Sequence, residues 1–399
     1  MNFFPHFPLQ INVITLFSLT LLLGLLGGEL IKKIPFLPRI LGYIAVGFML
    51  GPVGLNVVDP KTLAATRIFV DISLGIILFD LGRQLDFIWL KNDRGLLLTA
   101  IAESGLTFMS IFLLFYFVVQ LPLLPSALAA TFAIATSPAV VMMVANDLTA
   151  EGPVTRRALI LTSLNNLFAL VIFILLLPQV QIATNKGGSI WLHTAYLLAG
   201  PFFLAMIIYC LMNLAARIVG KNKQNQFILF VSVVVLTIGL AQVFKLPIAF
   251  TLFILGVATR NFDVAHRLME IDFGWSARIF FIVLFVVTGV YLHTEGLKSA
   301  AFAIVLFILL RSLAKAIGVW MCYRTSRLTK RQMISVSLSL TPMAGLVISM
   351  SNMLGDFNPE LSRQITVILV STIAILEVIG PIATQVSFIM ARETLKERK

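Results

Sequence analysis

The chain is poor in the residues that most soluble chemistry needs. Its two cysteines, Cys210 and Cys322, both sit in apolar segments, so neither a disulfide framework nor a CxxC metal site is expected. The four histidines (His6, His193, His266 and His293) all fall near the edges of apolar runs. No metal and no cofactor are expected. Charge is scarce as well: 12% of the 399 residues are charged and 59% are hydrophobic. A soluble core does not absorb that much apolar sequence. A basic n-region is missing at the start, the first lysine being Lys32, beyond the first apolar run, so no signal peptide is expected. Nor is there a nucleophile–base set or a phosphate-cradling loop, and the chain is not expected to be an enzyme.

Long apolar runs are what the sequence does have. Segments of about 20 apolar residues suit helices that cross a bilayer. Thirteen are expected, near 12–31, 37–57, 67–88, 95–119, 122–145, 157–178, 190–216, 226–244, 247–259, 279–293, 299–322, 332–353 and 365–390. The net charge of +12 is a topology signal rather than a mark of nucleic-acid binding. Of the 30 Lys and Arg residues, 22 lie in the odd-numbered loops and the C-terminal tail, six in the even loops, and two inside a span. By the positive-inside rule the odd loops are cytoplasmic, with the N-terminus outside and the C-terminus inside. The expected class is therefore an all-α polytopic membrane protein whose solvent is the lipid bilayer.

An odd span count has a consequence. Spans 1–6 and 8–13 enter the membrane from opposite sides, as two inverted six-helix repeats would. The fifth span of the first half reads "AIATSPAVVMM" (133–143) and that of the second "SLSLTPMAGLV" (337–347). Each sets a hydroxyl residue before a proline at mid-membrane: Thr136 and Ser137 before Pro138, and Thr341 before Pro342. Proline removes a backbone donor and biases its predecessor out of the helical region. Helices 5 and 12 are thus expected to be discontinuous, with half-helix ends suited to an ion.

Span 6 contains "SLNNLFAL" (163–170), two adjacent carboxamides in an apolar helix. Ala158, Thr162, Asn165, Asn166 and Ala169 share one face, which points to a cavity or to another helix. Polar glue between packed helices is the plainer alternative. Ionisable groups within spans mark further candidates, because each is costly there. Arg311 and Lys315 lie one turn apart in span 11 and need partners on other helices. Glu377 sits near the centre of span 13, while Asp80 and Glu103 lie in spans 3 and 4, Asp80 within reach of Arg83.

Taken in order, "LPRILGYIAVGFMLGPVGL" (37–55), "LGIILFDLGRQLD" (74–86), "ATSPAVV" (135–141), "FKLPIAFTLFILGVATRN" (244–261), "FFIVLFVVTGVYL" (280–292) and "RSLAKAIG" (311–318) resemble the monovalent cation:proton antiporter superfamily, the sodium/proton exchanger fold, over about residues 12–390. The resemblance implies a homodimer in which crossed helices 5 and 12 lie within a moving core of spans 4–6 and 11–13 (95–178 and 298–391). Scaffold and dimerisation helices would be spans 1–3 and 8–10 (1–94 and 217–297), with span 7 (179–216) as linker and 392–399 as a cytoplasmic tail. It implies exchange of Na⁺, Li⁺ or K⁺ for protons by alternating access, here in a bacterial inner (plasma) membrane. Asn165 and Asn166 stand where the family usually has Asp-Asp or Asn-Asp, Ser137 where some members have Asp, and Lys315 where the electrogenic branch has its core lysine. Asp80 matches an acid of the electroneutral branch.

The expected activity is therefore cation:proton antiport in which Asp80, Glu103 or Glu377 titrates. Thr136, Ser137, Thr162, Asn165 and Asn166 then offer neutral oxygens to the ion. An anion or neutral-solute transporter of the same fold, using Lys315 and Arg311, is one alternative. A non-transporting pseudo-exchanger acting as sensor or subunit is another. The stretch "RNFDVAHRLMEIDFGWSAR" (260–278) reads equally as an interfacial segment or a plain connector, with His266 a candidate pH sensor.

Overall fold

The computed structural model describes residues 13–34, 37–55, 67–183, 190–220, 222–263, 278–290, 297–326, 328–343 and 345–394. His266 and most of the 260–278 connector lie outside them. All regular structure among the described residues is helical. Helices α1 (Val13–Lys32), α2 (Arg39–Leu50), α3 (Arg67–Arg83) and the short α4 (Phe87–Asn92) come first. They are followed by α5 (Arg94–Leu113), which runs on as a wider π turn over Leu114–Val118, then α6 (Leu123–Ile134), α7 (Pro138–Leu148) and α8 (Pro153–Ala183). Next come α9 (Ile190–Val219), α10 (Lys223–Val243), α11 (Ile248–Phe262) and α12 (Arg278–Val290). The last are α13 (Leu297–Met321), α14 (Tyr323–Ser326), α15 (Lys330–Ser339), α16 (Leu346–Phe357) and α17 (Pro359–Ala391).

Among the described residues, eight helical runs are long and apolar enough to cross a membrane, and the protein is an integral membrane protein. Helices α2, α11 and α12 are apolar but shorter. The apolar run Leu123–Leu148 is long enough to cross the membrane but is broken inside, at the place where "TSP" predicts a break.

One group of helices packs α1 on α2, α2 on α12 and α3 on α11, with α9 and α10 against α11. Another packs α5 on α13, α6 and α7 on α8, and α15 and α16 on α17. Glycine allows the closest approaches in the first group. Gly47 of α2 meets Gly289 of α12, and Gly82 of α3 meets Gly256 of α11, backbone against backbone. Without a hydrophobic drive between helices in lipid, such van der Waals contact is a main source of cohesion.

Candidate functional site

The two proline-marked breaks meet. Helix α6 ends at Ile134, Ala135 turns the chain to ψ 133°, and Ser137 caps α7 by accepting a 3.4 Å bond from the Val140 amide. Helix α15 ends at Ser339, and the chain leaves helical geometry over Thr341–Met343 before α16. Between the breaks, the Ser137 amide donates to the Pro342 carbonyl at 3.1 Å.

Interrupted helices leave carbonyls without intrahelical donors, and at membrane depth these must be satisfied by protein. Arg311 of α13 does this for both breaks. Its Nε donates to the Ala133 carbonyl at 2.9 Å, and Nη2 to Ala135 at 2.9 Å and Pro342 at 3.2 Å. Nη1 donates to Thr341 at 2.6 Å. One turn on, Lys315 Nζ donates to the Ile134 carbonyl at 3.1 Å and to Glu103 Oε2 of α5 at 2.9 Å. Both cations therefore sit at the carbonyl end of α6, where the helix dipole is negative. The Lys315–Glu103 pair is almost wholly buried, at 1% and 0% side-chain exposure. Gly318 makes the pairing possible: a β-carbon there would overlap the Glu103 backbone, so only glycine lets α13 and α5 approach so closely.

Across the first break stand the carboxamides of α8. Asn165 Nδ2 donates to Thr136 Oγ1 at 3.1 Å, and its Oδ1 accepts from Ser104 Oγ at 3.1 Å. Asn166 Nδ2 donates to two carbonyls, Thr136 at 2.7 Å and Thr162 at 2.8 Å. Both acceptors are carbonyls, so the amide nitrogen must face them and its orientation is fixed by chemistry. Asn166 Oδ1 and Thr162 Oγ1 are left buried with no hydrogen-bond partner among the described residues. Thr136, Ser137, Thr162, Asn165 and Asn166 are all at 2% exposure or less.

The candidates named from sequence thus divide. Thr136, Ser137, Pro138, Thr162, Asn165, Asn166, Arg311, Lys315, Glu103, Thr341 and Pro342 converge on the crossing. Glu377 lies in α17 near it: a β-carbon on Gly380, one turn away, would meet Pro342 Cα at 2.7 Å. Asp80 is drawn to Arg83 on its own helix at 3.7 Å. Sequence reasoning missed Ser104 and Gly380, and placed Gly318 on the face of Arg311 and Lys315 without a role. Small residues beside an intramembrane acid were the available signal for the first.

The profile of the family described as sodium/hydrogen exchanger, transmembrane, matches residues 17–388. The chain belongs to that family. The sodium/hydrogen exchangers are transporters, not enzymes, and cation:proton antiport is the activity the family supports. Among solved structures, the exchanger chain is similar to the sodium proton antiporter MjNhaP1 from Methanocaldococcus jannaschii at pH 8, with a TM-score of 0.67 at 17% identity over 95% of both chains. An electron-microscopy structure of the same antiporter gives a TM-score of 0.64 at 15% identity, over 95% of this chain and 94% of that one. At such identity the likeness concerns the fold. No curated protein matches the exchanger chain.

Proposed function

We propose that the protein exchanges a monovalent cation (Na⁺, K⁺ or Li⁺) for protons by alternating access, with the cation held at the crossing by neutral oxygens. The observation that carries this reading is the buried, donor-less pair Asn166 Oδ1 and Thr162 Oγ1. A buried acceptor without a donor costs about 1–3 kcal/mol, and a partly dehydrated cation is a natural partner for it. Thr136, Ser137 and Asn165 complete the set of oxygens. Asp80, Glu103 and Glu377 are the carboxyls available to titrate, since the amides cannot.

The thirteen-span count, with the N-terminus outside and the C-terminus inside, belongs to the same reading. So do the inverted repeats, for which the glycine contacts offer support. In a six-plus-six repeat, spans 2 and 10 correspond to spans 9 and 3. The Gly47–Gly289 contact of α2 with α12 then corresponds to the Gly256–Gly82 contact of α11 with α3. The packing groups fit a core of 95–178 and 298–391, a scaffold of 1–94 and 217–297, and a linker of 179–216. We place the protein as a homodimer in a bacterial inner membrane.

Anion transport is less well supported, because Arg311 spends its donors on four carbonyls and Lys315 is bound to Glu103. The test is reconstitution in proteoliposomes with an imposed pH gradient, challenged with Na⁺, K⁺, Li⁺ and Cl⁻ in turn. A cation should dissipate the gradient, and Asn166→Ala with Thr162→Val should raise the half-saturating concentration at least tenfold. An unaltered response in the double variant would refute the site.

A further inference from the structure

Glu377 is 2% exposed in the middle of α17, and its Oε2 has no hydrogen-bond partner among the described residues. Its surroundings hold no described counter-charge. Helix α17 packs against α2, α6, α7, α8, α13, α15 and α16. The charged groups those helices bring to the interior are engaged elsewhere: Arg311 with carbonyls, Lys315 with Glu103, Arg39 with Asp147, and Arg157 with Asp93. Lys330 and Arg331 start α15, at its far end from the break. A carboxylate in such a place is charged without compensation, and only a proton or an incoming cation can neutralise it.

The backbone around Glu377 is also unusual. Pro381 lies inside α17, four residues further on, and has no N–H to give the Glu377 carbonyl. Gly380 presses against Pro342, at the second break. In the proposed repeat, α17 is the counterpart of α8, the helix with Asn165 and Asn166. One half carries amides at the crossing, and the other carries the acid.

We infer that Glu377 is the proton-carrying group of the exchanger, on a different helix from the oxygens that hold the cation. Cation and proton then do not compete for one carboxylate. They are coupled through the second break, where Gly380 touches Pro342 and Pro342 receives both the Ser137 amide and Arg311. The inference rests on the antiport reading given above.

The experiment uses the full-length protein. Calorimetric binding of Na⁺, K⁺ and Li⁺, each alone, is combined with proton release read by a dye in weak buffer, and with infrared difference spectra of the protonated-carboxyl C=O band. In the wild type, the cation that binds should release protons and bleach that band. In Glu377→Gln, binding of that cation should persist within about threefold while proton release and the band change are lost; Glu377→Asp should restore both in part. Melting temperatures check that each variant is folded, and an unfolded Glu377→Gln leaves Glu377→Asp to decide, its carboxyl band having to shift from the wild-type position. Proton release and an unshifted band in the variants overturn the inference while antiport stands. A wild type that moves no proton with any of the three cations overturns the antiport reading itself.

Discussion

The Ser137 amide and the Pro342 carbonyl, 205 positions apart in sequence, are joined by a 3.1 Å hydrogen bond where two interrupted helices cross. Arg311 straddles that bond, reaching Ala133 and Ala135 on one side and Thr341 and Pro342 on the other. Arg311→Leu strands the Ala133, Ala135 and Thr341 carbonyls in the interior, Pro342 keeping its bond from the Ser137 amide, and hydrogen bonds to a charged group contribute about 1.5–3 kcal/mol each. The variant should be largely unfolded in detergent. Arg311→Lys keeps the charge without the planar fork, and its melting temperature should fall between the two.

Asn166 is a carboxamide for a reason visible in its partners. Its nitrogen donates to the carbonyls of Thr136 and Thr162, and a carboxylate there would set acceptor against acceptor. Asn166→Asp should therefore lower stability by about 1–3 kcal/mol, chiefly through the Thr136 carbonyl, since the Thr162 carbonyl keeps its place in the backbone ladder of α8. Thermal unfolding at neutral pH checks this, and an unchanged melting temperature would contradict the orientation assigned to the amide.

Lys315 and Glu103 form a buried pair, and breaking such a pair by removing one partner costs about 3–5 kcal/mol because the other charge is left alone. Lys315→Met and Glu103→Leu should each be strongly destabilised. The double variant should recover most of the loss, apart from the Ile134 carbonyl that Lys315 also serves. A double-mutant cycle on chemical denaturation measures the coupling.

Gly318→Ala tests the approach that lets these two groups meet. Its methyl would overlap the Glu103 backbone and force α13 from α5, at about 1–3 kcal/mol for overpacking. Gly239, whose β-carbon would meet nothing within 4 Å, provides the control: Gly239→Ala should leave the melting temperature unchanged or slightly raised.

Arg39 of α2 holds Asp147 of α7 at 2.9 Å and Glu29 of α1 at 3.4 Å. These side chains are partly exposed, so the pairs contribute little and are screened by salt. Asp147→Asn should lower stability by about 1 kcal/mol or less, and the difference from wild type should shrink as ionic strength rises.

Much of this architecture was legible in the sequence because membrane depth allows few solutions. Apolar runs of bilayer length become helices, and a proline in the middle of one removes a backbone bond, so any break it makes must fall where protein can satisfy the freed groups. Pro138 and Pro342 therefore announced both interruptions. Partner choice between helices was not legible. That Lys315 meets Glu103 and that Arg311 serves carbonyls rather than an acid depend on how helices distant in sequence are rotated and spaced, whereas the pairing of Asp80 with Arg83, three residues on along one helix, was within reach in the sequence. Gly318 and Gly380 set those spacings, yet as letters they look like any other small residue in an apolar helix.

One contact far from the crossing bears on all of it. Glu393, just past the end of α17, is 5% exposed and caps the start of α8, its carboxylate accepting from the Val154 and Thr155 amides at 2.8 Å each and from Thr155 Oγ1 at 2.7 Å. Its carbonyl also accepts from the Glu151 amide at 3.0 Å. Helix α8 has no acidic residue of its own in its first turn. The two longest helices on either side of the crossing are thus buckled at one end, and neither can slide along its axis without dragging the other.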